Sequence, residues 1–142
     1  MRRFKRDKDH RRALMVNLSK NLIKHKGIKT TISKAKDLRS FVEPILTKSK
    51  VNSLHNKRNI AAILMNDWDI VNILFDEISP KIQDRKGGYT RIIRTHLRKG
   101  DGATEVLIEL VDLPRTSTVS KKTKNIEEVP LKVAEEAEIS VE

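Results

Sequence analysis

The sequence predicts an α+β fold in which about four helices pack on a small three-stranded mixed sheet with a C-terminal β-hairpin. Four stretches between residues 13 and 78 repeat apolar side chains every three or four positions, which is the helical period. Three short stretches, at 28–32, 89–95 and 104–111, are rich in β-branched residues, as strands are. A chain of 142 residues has room for one such core and a tail.

The two ends of the chain are too polar to build a core. Residues 1–12 hold seven Lys or Arg with one aromatic residue, Phe4, so we expect a flexible basic arm that a partner orders. Residues 13–112 form the predicted core domain. Residues 113–142 lose all periodicity and become rich in Glu, so we expect a disordered tail there.

The first predicted helix runs from about residue 9 to Lys26, with an apolar face formed by Leu14, Leu18 and Leu22. Gly27 is expected to end it in a left-handed cap. A short strand follows at 28–32, and Ser33 is expected to cap the second helix, whose apolar face is Ala35, Leu38, Val42, Ile45 and Leu46. Pro44 lies inside that face and predicts a kink or a restart of the helix.

Two more helices and a hairpin complete the core. The third helix is predicted at 52–65. The fourth begins after the N-cap Asp67, ends at Ser79-Pro80, and buries Ile70, Val71, Leu74, Phe75 and Ile78. Residues 84–88 have turn chemistry, and we favour hairpin formation over phosphate binding for Gly87-Gly88. In the last strand, Val106, Ile108 and Leu110 point to one side, and Glu105 and Glu109 to the other.

Several functional classes have no support in the sequence. The chain has no cysteine, which excludes disulfides, thiolate metal sites and cysteine nucleophiles. Its longest apolar run, 60–65, is far too short to span a bilayer, and neither phosphate-binding glycine motif occurs. The four histidines are dispersed, without metal-ligand spacing. We therefore expect no enzyme activity, cofactor, metal, membrane partner or small-molecule substrate.

The placement of charge points to a polyanion. The net charge is +11, and residues 1–50 alone carry sixteen basic against four acidic side chains. Lys and Arg that neutralise phosphates release counterions and so give affinity without sequence specificity. Nucleic acid is therefore the leading partner class, ahead of an anionic membrane surface.

The candidate RNA-binding residues fall into three groups. The arm and first helix supply Arg2, Arg3, Lys5, Arg6, Lys8, His10, Arg11, Arg12, Lys20 and Lys24. The junction between the first strand and the second helix supplies Lys29, Lys34 and Lys36, where free helix amides favour anions. The hairpin region supplies Arg85, Lys86, Tyr89, Arg91, Arg94, Arg98 and Lys99.

Two of these assignments have structural alternatives. Arg91 and Arg94 could form cross-strand pairs with Glu105 or Glu109 instead of binding phosphate. Tyr89 could stack on a base or close the core, and the sequence favours neither.

Two segments resemble a known family. The run HRRALMVNLSKNLIKHKGIKTTISKAKDLR at 10–39 and the run DRKGGYTRIIRTHLRKGDGATEVLIELV at 84–111 are similar to the bacterial large-subunit ribosomal protein L17 family. The pieces HRxAL, TTxxKAK, DRxGGYTRI, RxGD and IELV stand in the family's order. The resemblance implies an α+β structural protein, cytoplasmic and ribosome-bound, that binds large-subunit ribosomal RNA beside other ribosomal proteins near the exit side. It implies a role in subunit assembly and translation, and no enzyme activity.

Two other functions compete with this interpretation. A general nucleic-acid architectural protein would need the same basic surface but no ribosome. A nuclease or RNA-modifying enzyme would need a cluster of acids and histidines in a cleft, which the dispersed positions disfavour.

Overall fold

The computed structural model describes residues 2–113, so the tail from residue 114 onward lies outside the described residues. The elements, in chain order, are α1 (Lys8–His25), β1 (Gly27–Thr31), α2 (Ile32–Ser49), α3 (Leu54–Ile63), α4 (Trp68–Ile73), β2 (Thr90–Leu97) and β3 (Thr104–Leu110). After α4 the chain continues as a π-helical turn at Leu74–Ile78 and a 3₁₀ turn at Ser79–Ile82. The predicted α+β class, four helices and C-terminal hairpin are confirmed.

The sheet has the order β1-β3-β2, with both neighbouring pairs antiparallel. The prediction of a mixed sheet is therefore wrong. A mixed sheet would require β1 to lie beside β2, to which it runs parallel. Instead β3 takes the centre, because its buried apolar residues Val106, Ile108 and Leu110 need cover from both sides.

The turn between α1 and β1 differs from the prediction by one residue. Lys26, not Gly27, adopts the left-handed conformation (φ 61°), and Gly27 is already the first residue of β1. Lys26 is held there on two sides: its carbonyl accepts a hydrogen bond from the Leu110 amide, and its buried Nζ lies 2.7 Å from Glu77 Oε2. A paired lysine thus occupies the position that usually favours glycine.

The second helix begins one residue before the predicted cap. Ile32 is its first residue and Thr31 its N-cap, but Thr31 makes no side-chain capping hydrogen bond, and Ser33 lies within the first turn. The helix neither ends nor restarts at Pro44, which lies exposed inside one continuous element. A proline removes only its own amide donor, and the buried face of α2 holds the rest of the helix in place.

The third helix is shorter than predicted at both ends: Ser53 is its N-cap, and Leu64 to Asn66 form a turn after it. Ser53 Oγ accepts a hydrogen bond from the Asn56 amide at the start. The predicted N-cap of the fourth helix is confirmed, since Asp67 Oδ1 accepts from the Ile70 amide at 3.4 Å. Helix α4 ends at Ile73, before the predicted end at Ser79-Pro80, and the π-helical and 3₁₀ turns continue its path to Ile82. All five residues predicted for the buried side are buried.

The helices cover one face of the sheet. Helices α1 and α2 contact the strands, and α3 and α4 pack against α2 and α1. Partners in the antiparallel register share a face, which places Ile28, Ile92 and Ile108 together on the helix side. Lys29, Leu107 and Ile93 form the corresponding row on the outer face, where Ile93 is 39% exposed.

This register predicts unequal costs for two isoleucine truncations. Ile108→Ala removes a fully buried side chain from the central strand, and we expect it to lower the free energy of unfolding by about 2–5 kcal/mol. Ile93→Ala, the matched control on the outer face, should lower the free energy of unfolding by no more than about 1 kcal/mol. Urea denaturation of both variants measures the difference. Equal losses would mean that the two faces are assigned wrongly.

Candidate nucleic-acid interface

The register of the sheet brings several basic segments to one end of the molecule. Thr31, the last residue of β1, pairs with Glu105 near the start of β3, and Leu97 at the end of β2 pairs with Thr104. The start of α2 and the hairpin tip therefore lie at the same end of the sheet. We call this the basic end, because the following side chains lie on it: Lys29, Lys34, Lys36, Arg94, Arg98 and Lys99.

The arm lies at the same end. The chain reverses at Lys26, so α1 runs back along β1 and its first turn faces the basic end. The Arg2 amide donates a hydrogen bond of 2.6 Å to Asp37 Oδ2 in the early part of α2, and Phe4 packs against the core. Lys8 to Arg12, the last part of the predicted arm, are helical. Most arm cations are exposed: Arg2, Arg3, Lys5, Arg6, Lys8 and Arg12.

Two helix N-termini point the same way. Helices α1 and α2 each have 18 residues, and neither N-cap, Asp7 or Thr31, makes a side-chain hydrogen bond to the first turn. The first amides of a helix have no partner within the helix, and they carry the positive end of its dipole. Backbone donors thus add to the side-chain cations at the basic end, an arrangement that suits phosphate groups.

The hairpin tip is fixed by glycines and by an ion-pair network. Gly100 and Gly102 adopt positive φ values of 108° and 62° in the turn. Arg98 Nε lies 2.7 Å from Glu105 Oε1, and Arg98 Nη1 lies 3.5 Å from Asp101 Oδ2. His96 Nε2 is 3.3 Å from the other oxygen of Glu105. Arg98 is therefore engaged within the chain, and it stiffens the tip that presents Lys99.

The arginines of β2 take different positions in the register. Arg91 stands opposite Glu109, which is the cross-strand arrangement that a pairing role requires. Arg94 stands opposite Val106, next to the end of the regular register, and is exposed. Arg94 is therefore the better placed of the two to reach a partner outside the chain.

Three residues of the hairpin group lie away from the basic end. Arg85, Lys86 and Tyr89 precede β2, at the opposite end of the sheet. Tyr89 is 1% exposed, and its hydroxyl donates to the Arg85 carbonyl at 3.3 Å. The structure thus shows the core alternative for Tyr89, and the ring is not exposed for stacking on a base. Arg85 Nε lies 2.6 Å from Asp112 Oδ2, while Lys86 is exposed.

Lys20 and Lys24 of α1 act on a carboxylate at the start of another helix. Lys20 Nζ lies 3.0 Å from Asp67 Oδ2 at the start of α4, and the positive charge of Lys24 also acts on that carboxylate. The hydrogen bond from Lys20 is the main reason that the pKa of Asp67 is lowered. These two residues lie along the body of α1 and are not gathered with the arm.

Sequence reasoning missed the uncapped amides of α2. Thr31 and Ser33 are both residue types that commonly cap helices, so the sequence gives no sign that the first turn lacks a side-chain cap. Within residues 2–113 no group of three or more potential ligands could hold a metal ion. No helix in this part of the chain is long and apolar enough to cross a membrane.

Comparisons with known proteins match this part of the chain. Residues 14–111 match the family model for ribosomal protein L17. Large ribosomal subunit protein bL17 of Amoebophilus asiaticus is 52% identical over 75% of this chain. The aligned region spans 55% of that relative's length. The Flavobacterium johnsoniae protein of the same name is 44% identical over a region that covers 82% of this chain and 71% of that relative. The protein of that name from Fusobacterium nucleatum is 47% identical over a region that covers 78% of this chain and 94% of that relative.

The ion pair at the hairpin tip predicts a pH dependence. The hydrogen bond from Arg98 lowers the pKa of Glu105 below its ordinary 4.5, against an opposing effect of desolvation. A carboxylate whose pKa is lowered on folding stabilises the fold above its ordinary pKa, and this contribution is lost as the pH falls through the lowered value. We therefore expect the hairpin tip to stay firm at the ordinary pKa of a glutamate and to loosen as the pH falls through the lowered pKa of Glu105.

A carbon NMR titration of the Glu105 carboxyl measures this effect. Arg98→Gln should raise the titration midpoint toward the ordinary value, because the main cause of the shift is removed. Lys99→Gln, the control, removes a neighbouring positive charge without touching the hydrogen bond and should change the midpoint less. An unchanged midpoint in Arg98→Gln would refute the ion pair.

Proposed function

Because the chain belongs to the ribosomal protein L17 family, whose members are structural components of the large ribosomal subunit, we propose that its basic end binds large-subunit ribosomal RNA. One observation carries the proposal: the arm, two uncapped helix N-termini and the hairpin tip converge at the same end of the fold. This single surface joins the charge that the sequence distributes over three separate segments.

The arm and the folded core contribute differently to binding. The exposed arginines of the arm can follow the irregular path of an RNA backbone and neutralise its phosphates. Lys34 and Lys36, next to the amides of α2, offer a fixed site where a phosphate meets both side-chain charge and backbone donors. Lys99, on the stiff hairpin tip, sets a second fixed point. A rigid pair of contacts orients the protein on RNA, while the arm supplies affinity.

The aromatic content fits this mode of binding. The chain has only five aromatic residues, and Tyr89, the one in the candidate set, is buried. A stacking platform for single-stranded bases needs exposed aromatic rings. Recognition through phosphates and RNA shape is therefore the mode this surface supports. By binding and orienting RNA segments in this way, the protein supports assembly of the subunit and thereby translation.

The second candidate function is a general architectural role on nucleic acid away from the ribosome. The same basic end would serve it, because counterion release does not depend on sequence. It differs in requiring no unique site. The proposed function requires one defined position on the subunit, beside neighbouring ribosomal proteins.

The arm should contribute the salt dependence of RNA binding. We expect a variant with Arg3, Arg6 and Arg12 changed to Ala to bind large-subunit RNA more weakly. The slope of log affinity against log salt should fall by roughly 2–3, since each lost phosphate contact removes about 0.7–0.9. Titration at several salt concentrations measures the slope.

A matched control removes the same charge elsewhere. Lys48, Arg58 and Lys81 are exposed and lie outside the basic end, so changing them to Ala should leave the slope nearly unchanged. If the slope of log affinity against log salt falls equally in both triple variants, net charge accounts for binding and the basic end has no special role.

Sedimentation after a high-salt wash separates the two candidate functions. We expect the full chain to stay with large subunits in high salt, because fixed contacts at a unique site outlast the screening of the arm. A general architectural protein would be released, since its binding is electrostatic and falls steeply with salt. Release together with bulk nucleic-acid binding at low salt would favour the second candidate.

A further inference from the structure

The corner between α3 and α4 has a surface chemistry unlike that of the basic end. Met65 is 51% exposed and Trp68, the only tryptophan of the chain, is 47% exposed. Asp69, Asn72 and Asp76 follow as exposed residues on the side of α4 and the π-helical turn that faces away from the core. We call these five residues the acidic corner.

The segment that carries this corner has a charge opposite to that of the whole chain. Residues 65–80 contain four carboxylates and no Lys or Arg, in a protein with a net charge of +11. Asp67 and Glu77 are bound by Lys20 and Lys26, at 3.0 and 2.7 Å. Within residues 2–113, Asp69 and Asp76 make no salt bridge and face solvent, so their charge is available to a partner.

The backbone holds the corner in a defined shape. Met65 and Asn66 are consecutive residues with left-handed φ values of 57° and 58°. The turn is closed by a hydrogen bond of 2.7 Å from the Asn66 amide to the Ala61 carbonyl, and Asp67 caps α4 directly after it. Two non-glycine residues in this conformation are unfavourable on their own. The surrounding contacts maintain them, and the turn leads from the exposed Met65 to the exposed Trp68 at the start of α4.

We propose that the acidic corner docks a segment of another protein that is rich in arginine and lysine. The exposed face of Trp68 attracts a guanidinium or ammonium group, and Asp69 and Asp76 can accept charged hydrogen bonds from the same segment. Met65 offers an adaptable apolar contact for the stems of such side chains.

The charge of the corner decides between protein and RNA as its partner. A phosphate backbone brought to this surface would be repelled by Asp69 and Asp76, neither of which forms a salt bridge within residues 2–113. The chain therefore meets RNA with its basic end and protein with its acidic corner. This inference rests on the proposed function in that the large subunit is the assembly holding both partners together.

Trp68 gives a direct signal for docking on the free, full-length chain. We expect a synthetic ten-residue peptide of alternating arginine and glycine to change the tryptophan emission at low salt. An equivalent glutamate–glycine peptide and a single-stranded RNA oligonucleotide should leave the emission unchanged. Asp69→Asn should weaken binding of the arginine peptide roughly two- to fivefold, as expected for an exposed charge pair. Asp84→Asn, an exposed carboxylate outside the corner, is the matched control and should not weaken it.

Either of two results would overturn the docking inference in this titration. Equal loss of affinity in the two variants would show only general attraction to negative charge. A change of Trp68 emission on RNA binding, as large as that produced by the peptide, would place RNA on the corner instead.

Site-specific crosslinking in assembled large subunits then tests the two surfaces separately. A photoreactive benzoylphenylalanine in place of Trp68 should link to a Lys- and Arg-rich segment of another protein, identified by peptide sequencing. The same group in place of Lys99 should link to RNA. RNA linked to position 68, or the lack of a protein link there while position 99 reacts with RNA, overturns the docking inference. Protein linked to position 68 without RNA linked to position 99 supports docking and contradicts the proposed function.

Discussion

Strand β3 is the element on which the rest of the structure depends. It pairs with both other strands, and its buried residues Val106, Ile108 and Leu110 anchor the core under α1 and α2. Since β1 leads directly into α2, pairing Thr31 with Glu105 fixes where α2 begins. The same pairing sets the position of the hairpin tip. The basic end is thus a consequence of strand register, and a slip of one residue would reverse the faces of the sheet.

Local features of the fold could be predicted from the sequence, and long-range ones could not. The apolar faces of the helices and the cap at Asp67 depend on residues a few positions apart, so the local sequence pattern predicts them. The pairing of β1 with β3 joins residues 74 to 82 positions apart in sequence, and no local pattern specifies it. The left-handed Lys26 was missed for a related reason. Its buried ammonium is paired with Glu77, and that contact offsets the usual preference for glycine.

The candidate site shows the same division. Composition gave the cations and predicted the class of partner, because net charge and its placement are properties of the sequence itself. It could not separate cations that face outward from those already paired within the chain. Lys20 and Arg98 both have carboxylate partners, whereas Arg94 and Lys99 are exposed. The acidic corner was hidden for a similar reason, since the fold alone decides that Trp68 lies outside the core. Together these features give a protein with a basic end and a separate acidic corner.

The central claim is that one end of the fold, defined by strand register, faces ribosomal RNA. Acetylation of lysines, compared between the free full-length chain and the chain in assembled large subunits, tests this most directly. We expect Lys34, Lys36 and Lys99 to lose reactivity in the subunit, while Lys48, at the far end of α2, keeps it. Subsequent removal of the RNA by nuclease should restore the reactivity of the three protected lysines. Protection of Lys48 with continued reactivity at Lys34, Lys36 and Lys99 would contradict it.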